Sequence, residues 1–253
     1  MINFKKTGQG PHLLLIHGFC ESLDMWDHWV PTLAQYYTVY TIDLPGFGQS
    51  PLLPHTTSLE SIAVAICDWM EEVDMVNPVI IGHSLGGYVT LALAELMGIH
   101  IRAIGLFHST AFADTEEKIH SRNKTYRFIQ KFGVEKFIDS FVPPLFSEEN
   151  RSRKHQEIQR LISFGKLSNQ ASVLAFILAM RDRKNRMEIW QNFPNPKLMI
   201  AGLHDQAVHI EQSRQHKPYA FYYHELPNAG HMGMFEEEDT CLEIIQSFLK
   251  NLS

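Results

Sequence analysis

Gly82-His83-Ser84-Leu85-Gly86-Gly87 is the stretch on which the fold turns. It fits the pattern G-x-S-x-G, and its flanks matter as much as its letters. Pro78 and the apolar run Val79-Ile80-Ile81 come before it, as a buried strand would. Leu85 to Met97 follows with helical character, and Gly98 supplies a stop. A serine between strand and helix must sit on a sharp turn, and flanking glycines remove the Cβ atoms that would forbid one. The helix start then aims backbone N–H groups at negative charge developing beside the serine. Ser84 is therefore the candidate nucleophile.

Short apolar runs recur on either side. They are Leu13-Leu14-Leu15-Ile16, Thr38-Val39-Tyr40-Thr41-Ile42, Ala103-Ile104-Gly105-Leu106-Phe107, Leu198-Met199-Ile200-Ala201 and Tyr219-Ala220-Phe221-Tyr222-Tyr223. None alternates with polar residues, the signature of strands buried on both faces of a parallel sheet. Helical patterns lie between them. Thr57-Ser58-Leu59-Glu60 reads as a capping box, opening a face of Leu59, Ile62, Ala63, Ile66 and Met70. Cys241, Ile244, Ile245, Phe248 and Leu252 form another face. Strand–helix alternation predicts an α/β fold, a doubly wound and mostly parallel sheet. From Phe112 to about Ile189 only helical patterns appear, interrupted at Pro143-Pro144. The expected organisation is a core of residues 1–111 and 190–253 with an inserted helical cap, or lid, over 112–189.

Composition bounds the function. The chain has 253 residues, 45% of them hydrophobic and 20% charged, enough for a sizeable core without disulfides. A net charge of −6 argues against non-specific nucleic-acid binding, which needs phosphates to be neutralised. Cys20, Cys67 and Cys241 are odd in number, lack CxxC spacing and sit among apolar residues, so small buried hydrophobes are expected. The stretch from Met1 to Gly8 has no apolar core of a secretory signal, and no apolar run approaches a membrane span. A soluble cytoplasmic protein, with neither nucleic-acid nor membrane partners, is the expectation.

The elbow at Ser84, between a strand and a helix, resembles that of the α/β-hydrolase superfamily. His17-Gly18-Phe19 follows the first strong strand, where that family places its second oxyanion donor. The resemblance implies that the backbone N–H groups of Phe19 and Leu85 hold the oxyanion. Asp43-Leu44-Pro45-Gly46-Phe47-Gly48-Gln49-Ser50 resembles the family's loop behind the site, which gives Asp43 a structural part. His231, in Pro227-Asn228-Ala229-Gly230-His231-Met232-Gly233, falls after the last strand candidate, where the superfamily carries its general base. The acid follows the penultimate strand, and Asp205 is the sole acidic residue between Glu188 and Glu211. Asp114, after an earlier strand, is the fallback. The resemblance covers residues 1 to about 110 and about 195 to 253, and no motif matches in the insertion.

This resemblance implies a serine hydrolase with the triad Ser84, Asp205 and His231, acting on a small to medium carboxylic ester through an acyl-enzyme. The aromatic cap residues Tyr126, Phe128, Phe132, Phe137 and Phe141 fit such a substrate. Serine at the elbow excludes the aspartate-based dehalogenase and epoxide-hydrolase routes. C–C bond hydrolases, thioesterases, lactonases and cofactor-free perhydrolases share the triad and remain alternatives. A non-catalytic ligand receptor is the alternative of another class, disfavoured because all three triad members are present. No organic cofactor and no metal are expected: H-E-x-x-H, paired CxxC and P-loop motifs are absent, and His204 and His209 beside Asp205 lack ligand spacing. Residues 110–190 hold 15 Lys and Arg against 10 Asp and Glu, a net of +5, leaving −11 for the remainder. A basic lid over an acidic body makes an anionic or carrier-bound acyl substrate an expectation, beside the plainer reading of solvated helix faces.

Overall fold

The computed structural model describes residues 2–54 and 58–252. Seven strands form one sheet: β1 (Phe4–Thr7), β2 (His12–Ile16), β3 (Thr38–Ile42), β4 (Val79–His83), β5 (Ala103–Phe107), β6 (Lys197–Gly202) and β7 (Tyr222–Leu226). Their order is β1-β3-β2-β4-β5-β6-β7. Every pairing is parallel except β1 with β3. Strands β3, β4 and β5 are buried along their whole length, which is why they read as unbroken apolar runs.

Both sheet edges depart from the sequence reading. Phe4-Lys5-Lys6-Thr7 was not expected as a strand, because its burial is slight and its lysines face solvent. Charged residues on an edge strand discourage pairing with another chain. The last strand begins at Tyr222 rather than Tyr219, and Lys217–Tyr219 is instead a 3₁₀ turn. Tyr219 and Phe221 are 42% and 74% exposed, while Ala220, Tyr222 and Tyr223 are half-buried against the core.

Eleven helices complete the described chain. Before the insertion come α1 (Val30–Leu33), α2 (Leu59–Glu72) and α3 (Leu85–Met97); α2 packs on α3, and α3 packs on β2, β4 and β5. Of the expected capping box, Thr57 lies outside the described residues. The box forms one residue later: Ser58 accepts from the Ser61 N–H while the Ser61 hydroxyl accepts from the Ser58 N–H. Between β5 and β6 the described residues are helical and irregular only: α4 (Glu116–Phe132), α5 (Val134–Phe141), α6 (His155–Lys166), α7 (Gln170–Arg181) and α8 (Met187–Asn192). After β6 come α9 (Ile210–Arg214), α10 (Gly233–Glu236) and α11 (Glu238–Lys250). Pro143–Leu145 forms a 3₁₀ turn after α5, the break expected of paired prolines.

Among the described residues no single helix is long and apolar enough to cross a membrane. One bent pair, α6 and α7, is long and apolar enough when taken together, but the two helices meet at 103° and bury Val173, Phe176 and Ile177 in the core. Cys20 and Cys241 are buried and Cys67 half-buried, all three as free thiols.

Candidate active site

Chemistry-bearing side chains gather where the parallel strands end. His17 follows β2, Asp43 follows β3, Ser84 follows β4, His108 follows β5, Asp205 lies just beyond β6 and His231 just beyond β7. Loops at the carboxyl ends of parallel strands are the place such folds use for sites.

Ser84 sits at φ 51° and ψ −113°, a left-handed conformation that costs a non-glycine residue about 1–3 kcal/mol. Its surroundings hold it there. Its N–H donates to the Phe107 carbonyl at 2.9 Å, and the Ser109 hydroxyl donates to the Ser84 carbonyl at 2.7 Å. The two glycines are demanded by close approach: a Cβ on Gly82 would lie 2.1 Å from the Gly86 carbonyl oxygen, and one on Gly86 2.3 Å from that of Ile16.

The structure brings the three expected triad residues into one hydrogen-bonded chain. His231 Nε2 lies 2.8 Å from Ser84 Oγ, and His231 Nδ1 lies 2.7 Å from Asp205 Oδ2. The Asp205 Oδ1 atom accepts from the N–H groups of Ala207 and Val208, each at 2.8 Å. Burial alone would raise the Asp205 pKa, but the His231 charge and the two histidine contacts hold it well below the usual carboxylate range. Neither the Phe19 nor the Leu85 backbone N–H has an intramolecular acceptor among the described residues. Leu85 opens α3, where such N–H groups are left over by the helix. Asp43 is structural, as expected, accepting from Asn3, Leu23 and Gln49. The fallback acid Asp114 has no contact with His231. It is buried between the guanidinium groups of Arg122 and Arg183.

Four supporting residues escaped the sequence reading. Glu21, on the loop after β2, accepts from the Gly18 N–H at 2.6 Å and lies 3.1 Å from His83 Nδ1. His83 Nε2 lies 3.0 Å from the His231 carbonyl oxygen. Both nitrogens of His83 thus face acceptors, an arrangement an imidazolium satisfies completely. Burial disfavours its charge, yet the Glu21 carboxylate outweighs that and raises the His83 pKa. One buried pair therefore ties the loop after β2, the elbow and the His231 loop together. Glu236 accepts from the N–H groups of Gly230 and Met232 and from Ser147 beyond the 3₁₀ turn, fixing the His231 loop from its other side. His108 Nδ1 lies 3.3 Å from Asp205 Oδ2, and burial pushes its pKa down to about 4. The available signal was positional: each sits within a few residues of a strand end or of a triad member.

Three donors, from His108, Asp205 and His231, lie within 4.8 Å of one another, so a metal has to be weighed. Tetrahedral zinc with bonds of about 2.0–2.1 Å sets its ligand atoms roughly 3.3 Å apart. Asp205 Oδ2 and His231 Nδ1 are 2.7 Å apart, which is hydrogen-bond spacing. These donors fit a proton-holding chain better than a metal centre.

Ser84 and His231 open onto a cavity of about 320 Å³. Phe137 and Phe141 line it, but Tyr126, Phe128 and Phe132 do not. Phe128 and Phe132 pack against each other with tilted rings, centroids 4.9 Å apart, and each is partly exposed, at 38% and 43%. Of the five aromatic residues noted in the expected cap, two line the cavity, because α4 presents a polar face to it instead.

A mostly parallel sheet bearing a serine elbow, with histidine and aspartate on later loops, defines the α/β-hydrolase class. The chain belongs to the alpha/beta hydrolase family, whose sequence profile matches residues 13–244. It is 24% identical over 251 residues to a dihydrolipoyllysine-residue acetyltransferase component of the acetoin cleaving system from Pseudomonas putida, covering 98% of this chain and 66% of that protein. It thus spans just under two thirds of that relative, and 29% of a counterpart from Cupriavidus necator. It is 27% identical over 223 residues to a pimeloyl-[acyl-carrier protein] methyl ester esterase from Vibrio vulnificus, covering 86% of this chain and 74% of that protein. The structure of a thermophilic esterase from Thermogutta terrifontis superposes with a TM-score of 0.93 at 23% identity, over 99% of this chain and 93% of that one, a likeness of fold.

Proposed function

We propose that this protein is a serine hydrolase that cleaves a small to medium carboxylic ester through an acyl-enzyme on Ser84. The observation that carries the reading is the chain from Ser84 Oγ to His231 to Asp205, with contacts of 2.8 and 2.7 Å, on a strained elbow. In the first half-reaction Ser84 Oγ attacks the ester carbonyl carbon as His231 Nε2 takes the hydroxyl proton. The N–H groups of Phe19 and Leu85 stabilise the oxyanion. His231 then gives its proton to the departing alkoxide oxygen, and the acyl group stays on Ser84. Water attacks next, losing a proton to His231, which returns it to Ser84 Oγ as the acid leaves. Asp205 fixes the His231 tautomer and stabilises the imidazolium without taking the proton.

The methyl ester esterase among the relatives supports an ester over the other bonds this triad can break. Residues 112–189 serve as a cap in this reading, and the substrate bears an anionic or carrier-bound acyl group. Free thiols at all three cysteines accord with a cytoplasmic setting. The test is labelling with a fluorophosphonate beside turnover of a short ester panel. Ser84→Ala is expected to lose both label and activity while keeping its melting temperature, since one surface-turn oxygen opens no core cavity. Near wild-type turnover by Ser84→Ala would overturn the reading.

A further inference from the structure

The cavity that holds Ser84 and His231 has two unlike walls. One is aromatic and aliphatic, with Phe19, Phe137, Phe141, Leu145, Ile177 and Met180. The other comes from α4: Lys118, Ser121, Arg122 and Thr125. Their spacing is i, i+3, i+4, i+7, a single helix face. A helix laid over an apolar pocket ordinarily turns its apolar stripe inward at this spacing. Here the inward stripe is polar and carries two cations, and Ile129 is the one buried residue of the helix.

The charge on that wall is not balanced locally. No Asp or Glu lines the cavity among the described residues. Arg122 and Arg183 share a single carboxylate, Asp114. Lys118 Nζ donates to the Ala207 carbonyl at 2.8 Å and has no carboxylate partner among the described residues. Half-buried cations beside apolar walls are costly unless something anionic neutralises them, and a cleft of this kind concentrates the field it does carry.

We infer that the Lys118–Arg122 face of α4 is an anion-recognising subsite, so that the substrate is an ester carrying a carboxylate or phosphate against α4 and an apolar part against the phenylalanine wall. This rests on the ester-hydrolase reading of Ser84 and names its substrate class. Lys118 supplies a point charge, and Arg122 offers the guanidinium edge left over from Asp114.

Two matched pairs of esters test it. The mono-4-nitrophenyl ester of glutarate is compared with 4-nitrophenyl valerate, which places the anion on the acyl side. The valerate ester of 4-hydroxyphenyl phosphate is compared with phenyl valerate, which places it on the alcohol side. The wild-type protein is expected to favour one anionic ester over its neutral twin by about tenfold or more in kcat/KM, the scale of one hydrogen bond to a charged group. Lys118→Met should lower that anionic-to-neutral ratio about tenfold, Lys118→Glu should invert it, and Lys118→Arg should keep it. The ratio guards against an indirect effect through Ala207, which would slow both members of a pair. Equal rates within both pairs, or a ratio unmoved by Lys118→Glu, would overturn the subsite. If no ester turns over and Ser84 takes no label, the hydrolase reading fails instead. Titration of Ser84→Ala with the four esters still decides the subsite then, since the anionic esters should bind about tenfold tighter than their twins.

Discussion

Asp205 and Glu21 differ in kind although both are buried carboxylates within reach of a histidine. Asp205 touches the His231 ring, which moves the proton in the proposed mechanism, so Asp205→Asn should favour the wrong His231 tautomer and lower kcat by about 10⁴-fold, as the same change does in serine proteases. If Asp114→Asn were the damaging change and Asp205→Asn benign, the acid would have been misassigned. Glu21 acts at one remove. Glu21→Gln keeps an acceptor for the Gly18 N–H but takes the counter-charge from His83, which then loses the proton it shares with Glu21 or with the His231 carbonyl. The expected result is a fall in kcat of about tenfold with KM little changed, because the lost interaction positions groups rather than binds substrate. Nitrogen NMR titration of the His83 ring supplies the matching signature: an imidazole pKa raised above its ordinary value in the wild type that falls back in Glu21→Gln. Unchanged kcat together with an unchanged His83 spectrum would remove Glu21 from the site. Ser84, Asp205 and His231 were legible because chain order and flanking strands mark them. Glu21 and His83 were not, because their pairing spans 62 residues of sequence and exists only after folding.

At the scale of elements, a buried cation is among the ties between the insertion and the core. Arg186, which precedes α8, donates to Glu60 on α2 at 2.8 Å and to Glu95 on α3 at 2.9 Å. Its side chain is 3% exposed while both carboxylates are 38% exposed, so removing the arginine strands no buried charge. Arg186→Met should therefore cost about 1–3 kcal/mol, read as a lower urea midpoint at pH 7. The pH dependence has a definite sign. Glu60 keeps some burial penalty, but its backbone bond and the cations of Lys184 and Arg186 lower its pKa from 4.5 to about 2. A depressed carboxylate stabilises above its unfolded pKa, and that gain drains away as pH falls from 4.5 toward 2. The stability gap between wild type and Arg186→Met should narrow across that window; a constant gap would show that Glu60 is not coupled to Arg186. Central strands were readable as apolar runs because both their faces are buried. The edges were not: β1 looks polar since it scarcely enters the core, and β7 was displaced by a solvent-facing Tyr219 and Phe221. The helices of the insertion were legible one by one, but sequence cannot show which face of α4 looks inward when its partner wall is built from α5 and α7.

Across the whole molecule the charges separate: residues 110–190 carry +5 and the remainder −11. Part of that positive surplus is spent locally, since Lys184 and Arg186 bind Glu60 and Glu95 on the acidic body. The rest includes Lys118 and Arg122, which line the Ser84 cavity. Such a field attracts an anionic ester before contact and repels it from the body, raising the encounter rate without any new bond. Long-range steering and a local ion pair answer differently to salt. The Debye length shortens from about 10 Å at 0.1 M to about 3 Å at 1 M, so steering disappears while a half-buried contact is screened much less. For the carboxylate ester, kcat/KM should fall steeply over that range and then level above the value for its neutral twin. The neutral ester should stay flat. A fall that continues until the two esters coincide would assign the whole preference to the field of the proposed cap and none to Lys118. Flat responses for both would mean that the charge separation only solvates helix faces, leaving shape and the phenylalanine wall to select the substrate.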